Sequence, residues 1–176
     1  MKVRLDRIDE RPFTWSEQRR FSTETLDSDG LIGLGEVSWR GSVGTIGRNY
    51  LLRAQLDYRQ RLECARCLAA TEEPVSTEIE LLIVAEPGEP TVGEYELNES
   101  DLGVVYAEGD ELDLDPLLLE QLQLNVPMHP LCSEACAGLC PVCGADRNQG
   151  ECNCAPAPAD PRLAALADLK SRFENR

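Results

Sequence analysis

Lysine is almost missing from this sequence: of 17 basic residues only Lys2 and Lys170 are lysines, and there is one histidine. Between residues 67 and 146 there is no Lys or Arg at all, against 18 acidic side chains. That gap excludes a chain that grips nucleic acid mainly through phosphate contacts, because such chains need clustered cations. With His129 as the sole imidazole, no Ser–His–Asp or Cys–His arrangement is convincing. No run approaches the roughly 18 consecutive apolar residues that a membrane-spanning helix needs. The opening Met1–Arg7 has no apolar segment of signal-peptide length. The expectation is a soluble, cytoplasmic protein with no membrane partner. A phosphate-binding loop is missing too: Gly30-Leu31-Ile32-Gly33-Leu34-Gly35 lacks the strand before it and the Lys after it. No internal repeat of fixed period is present.

What is there is enough for one domain and a small appendage: 176 residues, 42% of them hydrophobic. The net charge is −15. Residues 1–66 are close to balanced, with 12 basic and 10 acidic side chains, and residues 147–176 carry 5 and 4. The excess therefore sits in the middle 80 residues. Two readings fit: a solvated face that aids solubility, or a docking surface whose field steers a basic partner.

Period-two alternation marks the strands. Met1–Ile8 reads as a short strand with Val3 and Leu5 on one side. Residues 11–30 are polar and ambiguous. Glu36–Val43 places Val37, Trp39 and Val43 on one face, and Gly41, Gly44 and Gly47 suggest a turn after it. Tyr50–Cys64 is the clearest strand, with Leu52, Ala54, Leu56, Tyr58 and Leu62 inward and Arg53, Arg59 and Arg61 outward. Val75–Ala85 repeats the pattern. Residues 86–103 are acidic and rich in Pro and Gly, which predicts a loop, and Val104–Tyr106 adds a short strand. Asp115-Pro116 predicts a helix start, with Leu118, Leu119 and Leu122 as the buried stripe up to about Leu124. After the Pro/Ala linker at 155–159, Leu163, Leu166, Leu169 and Phe173 predict a terminal amphipathic helix over 161–173. The fold class expected is α+β: an antiparallel β-sheet flanked by two helices, with a C-terminal cysteine-rich zinc-binding module. The division expected is 1–127, a sheet domain with an acidic loop and one helix, and 128–176, the cysteine module, linker and terminal helix packing back on the sheet domain.

Eight cysteines carry the chemistry. Without a secretion signal, paired spacing points to metal or redox work rather than to lasting disulfides. Cys140-Pro141-Val142-Cys143-Gly144 is a knuckle in which two sulfurs three residues apart face one ion, and Gly takes the backbone angles a side chain resists. Cys152 and Cys154 complete one site of four thiolates. Cys64, Cys67, Cys132 and Cys136 make up a second set by count, although nothing in the spacing brings residue 64 to residue 132. One or two structural Zn²⁺ ions are therefore expected, in closed shells with no open position for water. They would supply the folding free energy that a tract so poor in apolar residues cannot. His129 is either an alternative ligand or an ordinary loop histidine. A thiol–disulfide redox protein using Cys64 and Cys67 is the competing reading, with Arg66 lowering a thiol pKa.

Four motifs in order give a further handle: Leu62-Glu63-Cys64-Ala65-Arg66-Cys67-Leu68; Leu112-Asp113-Leu114-Asp115-Pro116; Leu139-Cys140-Pro141-Val142-Cys143-Gly144; and Asp160-Pro161-Arg162 through Leu169-Lys170. Together, over about residues 40–172, they resemble the YceD family, the DUF177 or large ribosomal RNA subunit accumulation proteins. The resemblance implies a non-enzymatic role in ribosome biogenesis, supporting accumulation of large-subunit ribosomal RNA. With a charge of −15, the expected partner is a basic large-subunit ribosomal protein or a pre-ribosomal particle. Direct RNA contact through Arg53, Arg59 and Arg61, with Arg66 close by, is a secondary route, and its alternative is a solvated sheet face.

Overall fold

The computed structural model describes residues 1–9, 11–26, 28–85, 103–107 and 109–155. They fall into two compact units: Met1–Ala65 with Ala69–Cys132, and Arg66–Leu68 with the residues from Ser133 on.

The first unit is built on a sheet. Its strands are β1 (Lys2–Arg4), β2 (Phe13–Arg19), β3 (Leu31–Leu34), β4 (Val37–Ile46), β5 (Asn49–Glu63), β6 (Ala70–Val84), β7 (Val104–Tyr106) and β8 (Glu111–Asp113). Short 3₁₀ turns occupy Leu5–Arg7 and Thr23–Thr25, and the α-helix described is α1 (Leu114–Leu124). The main sheet runs β2-β4-β5-β6-β7, with β3 also paired to β5, and β1 pairs separately with β8. Strand β5 is the spine. Its first half pairs with β4, its last turn of residues pairs with β3, and almost its whole length pairs with β6.

The alternation in β5 explains its place. Leu52, Leu56 and Leu62 are essentially inaccessible, while Arg53, Arg59 and Arg61 are exposed. Val37, Trp39 and Val43 of β4 bury the same side, and Ile79 and Ile83 of β6 continue it. Leu114, Leu118 and Leu122 form the buried stripe of α1 and join this core together with Leu5, Ile8 and Leu26. Burying side chains of this size stabilises the fold by about 1.5–3 kcal/mol each before entropy is counted. The end of α1 is pinned by Asn125. Its carbonyl accepts from Gln60 Nε2 at 3.3 Å, its Oδ1 accepts from Thr77 Oγ1 at 2.9 Å, and its Nδ2 donates to the Gln121 carbonyl at 2.7 Å.

Several expectations need correction. The element pattern is mostly β, and the two flanking helices are not borne out: among the described residues there is one α-helix, and the helix expected over 161–173 lies outside them. The loop expected at 86–103 falls there too, apart from Gly103. The ambiguous stretch 11–30 contains β2 and the 3₁₀ turn at Thr23–Thr25, and β3 follows directly after it. Strand β7 pairs parallel to β6, so the sheet is not wholly antiparallel. The helix cap is Asp113, whose side chain accepts from the Asp115 N–H at 3.1 Å; Pro116 then falls in the first turn, where a missing N–H costs nothing. Gly41 and Gly44 lie inside β4, and the turn is at Gly47. Gly41 is there for space. A Cβ on it would sit 2.6 Å from Trp15 Cζ2 and 2.5 Å from the Arg53 carbonyl oxygen. Among the described residues no helix is long and apolar enough to cross a membrane.

Candidate metal centres

The first knuckle begins where β5 ends. The Cys64 N–H donates to the Ala69 carbonyl at 2.9 Å, which closes the turn into β6. The Ala65 N–H donates to the Pro130 carbonyl at 2.8 Å, which fixes the segment leading to Cys132. Leu68, directly after Cys67, has φ +61°, the left-handed conformation that Gly144 adopts at φ +72° directly after Cys143. Both knuckles thus use the same backbone reversal, one with glycine and one without it.

Arg66 has a structural task that its charge did not suggest. Its Nη1 donates to the carbonyls of Glu134 at 3.2 Å and Cys136 at 3.0 Å. Its own carbonyl accepts from the Leu139 N–H at 3.0 Å. A Cβ on Gly138 would lie 3.0 Å from that carbonyl oxygen, and Gly138 has φ +69°.

In the second knuckle the Cys140 N–H donates to the Ala145 carbonyl at 2.8 Å, and the Gly144 N–H donates back to the Cys140 carbonyl at 2.9 Å. The Val142 N–H points at Cys140 Sγ, 3.4 Å away. Backbone N–H groups of Cys143 and then Val142, together with the Cys152 side chain, bring the Cys140 thiol down to about 6. Cys154 moves the other way, to about 12, through its hydrogen bond with Cys143 and then its burial.

The sulfurs of Cys64, Cys67, Cys132 and Cys136 lie within 4.8 Å of one another, and so do those of Cys140, Cys143, Cys152 and Cys154. Tetrahedral Zn–S bonds of about 2.3 Å put sulfurs roughly 3.8 Å apart, so both groups have the donor chemistry and the size for one ion each. Neither group includes a carboxylate or an imidazole. Three sulfur residues of the first group are buried and Cys132 is exposed; in the second only Cys140 is buried and Cys143 is exposed. His129 is exposed and belongs to neither group.

Three arginines of the sheet face, Arg40, Arg53 and Arg61, are engaged with acids. Arg53 Nε reaches Glu80 Oε2 at 2.7 Å, Arg40 Nη2 reaches Asp57 Oδ2 at 3.2 Å, and Arg61 Nε reaches Glu72 Oε1 at 3.9 Å. This face is charge-mixed rather than basic, which favours the solvated-face reading over phosphate contact. Sequence reasoning passed over Asn148 and Asp146. Asn148 Nδ2 donates to Cys136 Sγ at 3.4 Å and to Asp146 Oδ1 at 2.8 Å. The closely spaced Asp146 and Asn148 inside a cysteine loop were the available signal.

Comparison with known proteins adds the following. The family model described as "Large ribosomal RNA subunit accumulation protein YceD" matches residues 52–170. A chloroplastic large ribosomal RNA subunit accumulation protein YCED homolog 1 of Arabidopsis thaliana is 25% identical over 142 residues, which cover 65% of this chain and 42% of that protein. An uncharacterized protein of Mycobacterium bovis is 32% identical over 108 residues, 61% of this chain and 49% of its own. The YCED homolog 1 of Zea mays is 23% identical over 144 residues, 64% of this chain and 45% of its own. The matched stretch spans about half the length of these curated relatives. No solved structure matches the chain.

Proposed function

We propose a function from one premise: this chain belongs to the YceD family. The family description points to accumulation of the large-subunit ribosomal RNA. The reading drawn from it is a non-enzymatic, cytoplasmic ribosome biogenesis factor that works by binding. The observation that carries it is the extent of the family match, residues 52–170, which takes in both knuckles and α1.

Within that reading the cysteines are structural ligands for two Zn²⁺ ions: Cys140, Cys143, Cys152 and Cys154 for one, and Cys64, Cys67, Cys132 and Cys136 for the other. Four sulfurs close the shell and leave no position for a reacting water. The burial of Cys64 and Cys67 supports a ligand role over thiol exchange, since a redox pair must be reached by another sulfur. The residues from 128 on then form a metal-held module, and 1–127 the sheet domain.

The partner in this reading is a basic large-subunit ribosomal protein, free or in a pre-ribosomal particle. A chain of net charge −15 attracts a polycation and repels phosphate. The test is an affinity pull-down at physiological salt with and without ribonuclease. The expected result is a basic large-subunit ribosomal protein that stays bound after the RNA is digested. Retention of RNA alone, with every protein lost on digestion, overturns the partner assignment.

A further inference from the structure

Asn148 lies in the loop between Cys143 and Cys152, two sulfur residues of the second cluster, yet its side chain serves the first. Its Nδ2 donates to Cys136 Sγ at 3.4 Å, and its Oδ1 accepts from the Ala137 N–H at 2.8 Å. The side chain is held by Asp146, whose Oδ1 accepts from the Asn148 N–H at 2.9 Å and from Nδ2 at 2.8 Å. Asp146 is fixed in turn. It forms a β-bridge with Leu139, the neighbour of Cys140, and its Oδ2 accepts from Gln149 Nε2 at 3.0 Å. One short path of hydrogen bonds therefore runs from the Cys140 knuckle through Asp146 and Asn148 to Cys136.

An N–H aimed at a ligand sulfur stabilises the thiolate and sets its direction, and loss of such an outer partner typically costs 10–100-fold in metal affinity. The donor here rides on a loop whose two ends, Cys143 and Cys152, sit in the other cluster. Clamping those ends on one ion removes loop entropy and holds Asn148 at Cys136. Releasing them lets the donor leave.

We infer that Asn148 is a positioning residue for the first sulfur cluster, and that ion binding at the second cluster strengthens ion retention at the first. The coupling is reciprocal, as linkage requires. It rests on the reading of both clusters as metal centres, and the experiment separates the two claims.

The full chain is purified anaerobically and titrated with Co²⁺, whose bonds to thiolate give sulfur-to-metal charge-transfer bands, then challenged with a chelator. Alkylation of released thiols followed by mass spectrometry identifies the cluster that has opened. The wild-type chain takes up two ions. The double variant Cys152→Ser/Cys154→Ser holds one and yields it about tenfold more readily than the wild type yields its first-cluster ion. Asn148→Ala holds two, with the first cluster weakened about tenfold and its charge-transfer band shifted to lower energy, while the second cluster keeps its affinity when the first is empty and loses the same factor when the first is filled. Asn148→Asp, which fills the same space without the N–H donor, behaves like Asn148→Ala or worse. Two ions in the wild type with unchanged first-cluster affinity in all three variants overturns the coupling and leaves the metal reading standing. A wild-type chain that takes up no ion overturns the metal reading itself.

Discussion

Gly41 shows how one missing side chain sets a local arrangement. The Trp15 ring lies where a Cβ of residue 41 would be, and it meets Trp39 at a tilt of 50° with ring centroids 5.4 Å apart. Gly41→Ala is expected to destabilise the fold by about 1–3 kcal/mol, because the indole and the β5 backbone have to move apart. Urea unfolding followed by tryptophan fluorescence measures this, and an unchanged midpoint refutes the packing account. At the same scale, Val37, Trp39, Leu52, Leu56 and Leu62 were legible as core from their spacing alone. Gly41 was not, since a glycine that makes room for a neighbour reads like a glycine that makes a turn. Asn148 was not legible either: nothing in the sequence says that an amide in one cysteine loop reaches a sulfur outside it.

Elements were legible where alternation was long. Strand β5 runs for 15 residues and stands within one residue of its expected limits. Strand β2 was missed because it lies at the edge of the sheet and buries only Trp15 along its length. The parallel pairing of β7 involves three residues, too few for any pattern to announce direction. The link between β2 and α1 is also invisible in sequence. Arg19 donates to Asp115 in the first turn of the helix, and this bond first of all, with the Met1 amino group next, holds the Asp115 carboxyl below its ordinary 3.8. A lowered pKa means stability that is present above the unfolded value and lost as pH falls through the folded one. Asp115→Asn is therefore expected to cost up to about 1 kcal/mol at neutral pH, since solvent screens a half-exposed pair. The difference from wild type should vanish well below pH 3.8, a trend measured by urea unfolding at stepped pH; a constant offset at every pH counts against the ion pair.

For the whole molecule, the separation of charge along the chain becomes mixing in space. Acids of the 67–146 stretch meet cations of the first 66 residues: Glu80 with Arg53, Glu72 with Arg61, Asp115 with Arg19 and Glu111 with Lys2. Composition showed the surplus but not this partial neutralisation, which depends on register. The two sulfur clusters also differ at this scale. The first has three buried cysteines, whereas the second has one, with Cys152 and Cys154 half-buried and Cys143 exposed. If both clusters hold ions as proposed, a chelator is expected to strip the second first, so that Cys143, Cys152 and Cys154 alkylate before Cys64 and Cys67. Far-UV circular dichroism should change little at that stage, because the apolar core of the sheet unit lies among other residues. Labelling in the reverse order contradicts the assignment of the more labile site.

The pairing of β1 with β8 joins Lys2 to Asp113 and Arg4 to Glu111. During synthesis the opening strand must therefore wait for a partner that is translated about 110 residues later. At roughly 5–20 residues per second that delay is on the order of 5–20 s. Throughout it, Val3 and Leu5 have no seat, and a nascent chain stalled short of residue 111 would display them to whatever waits at the exit tunnel.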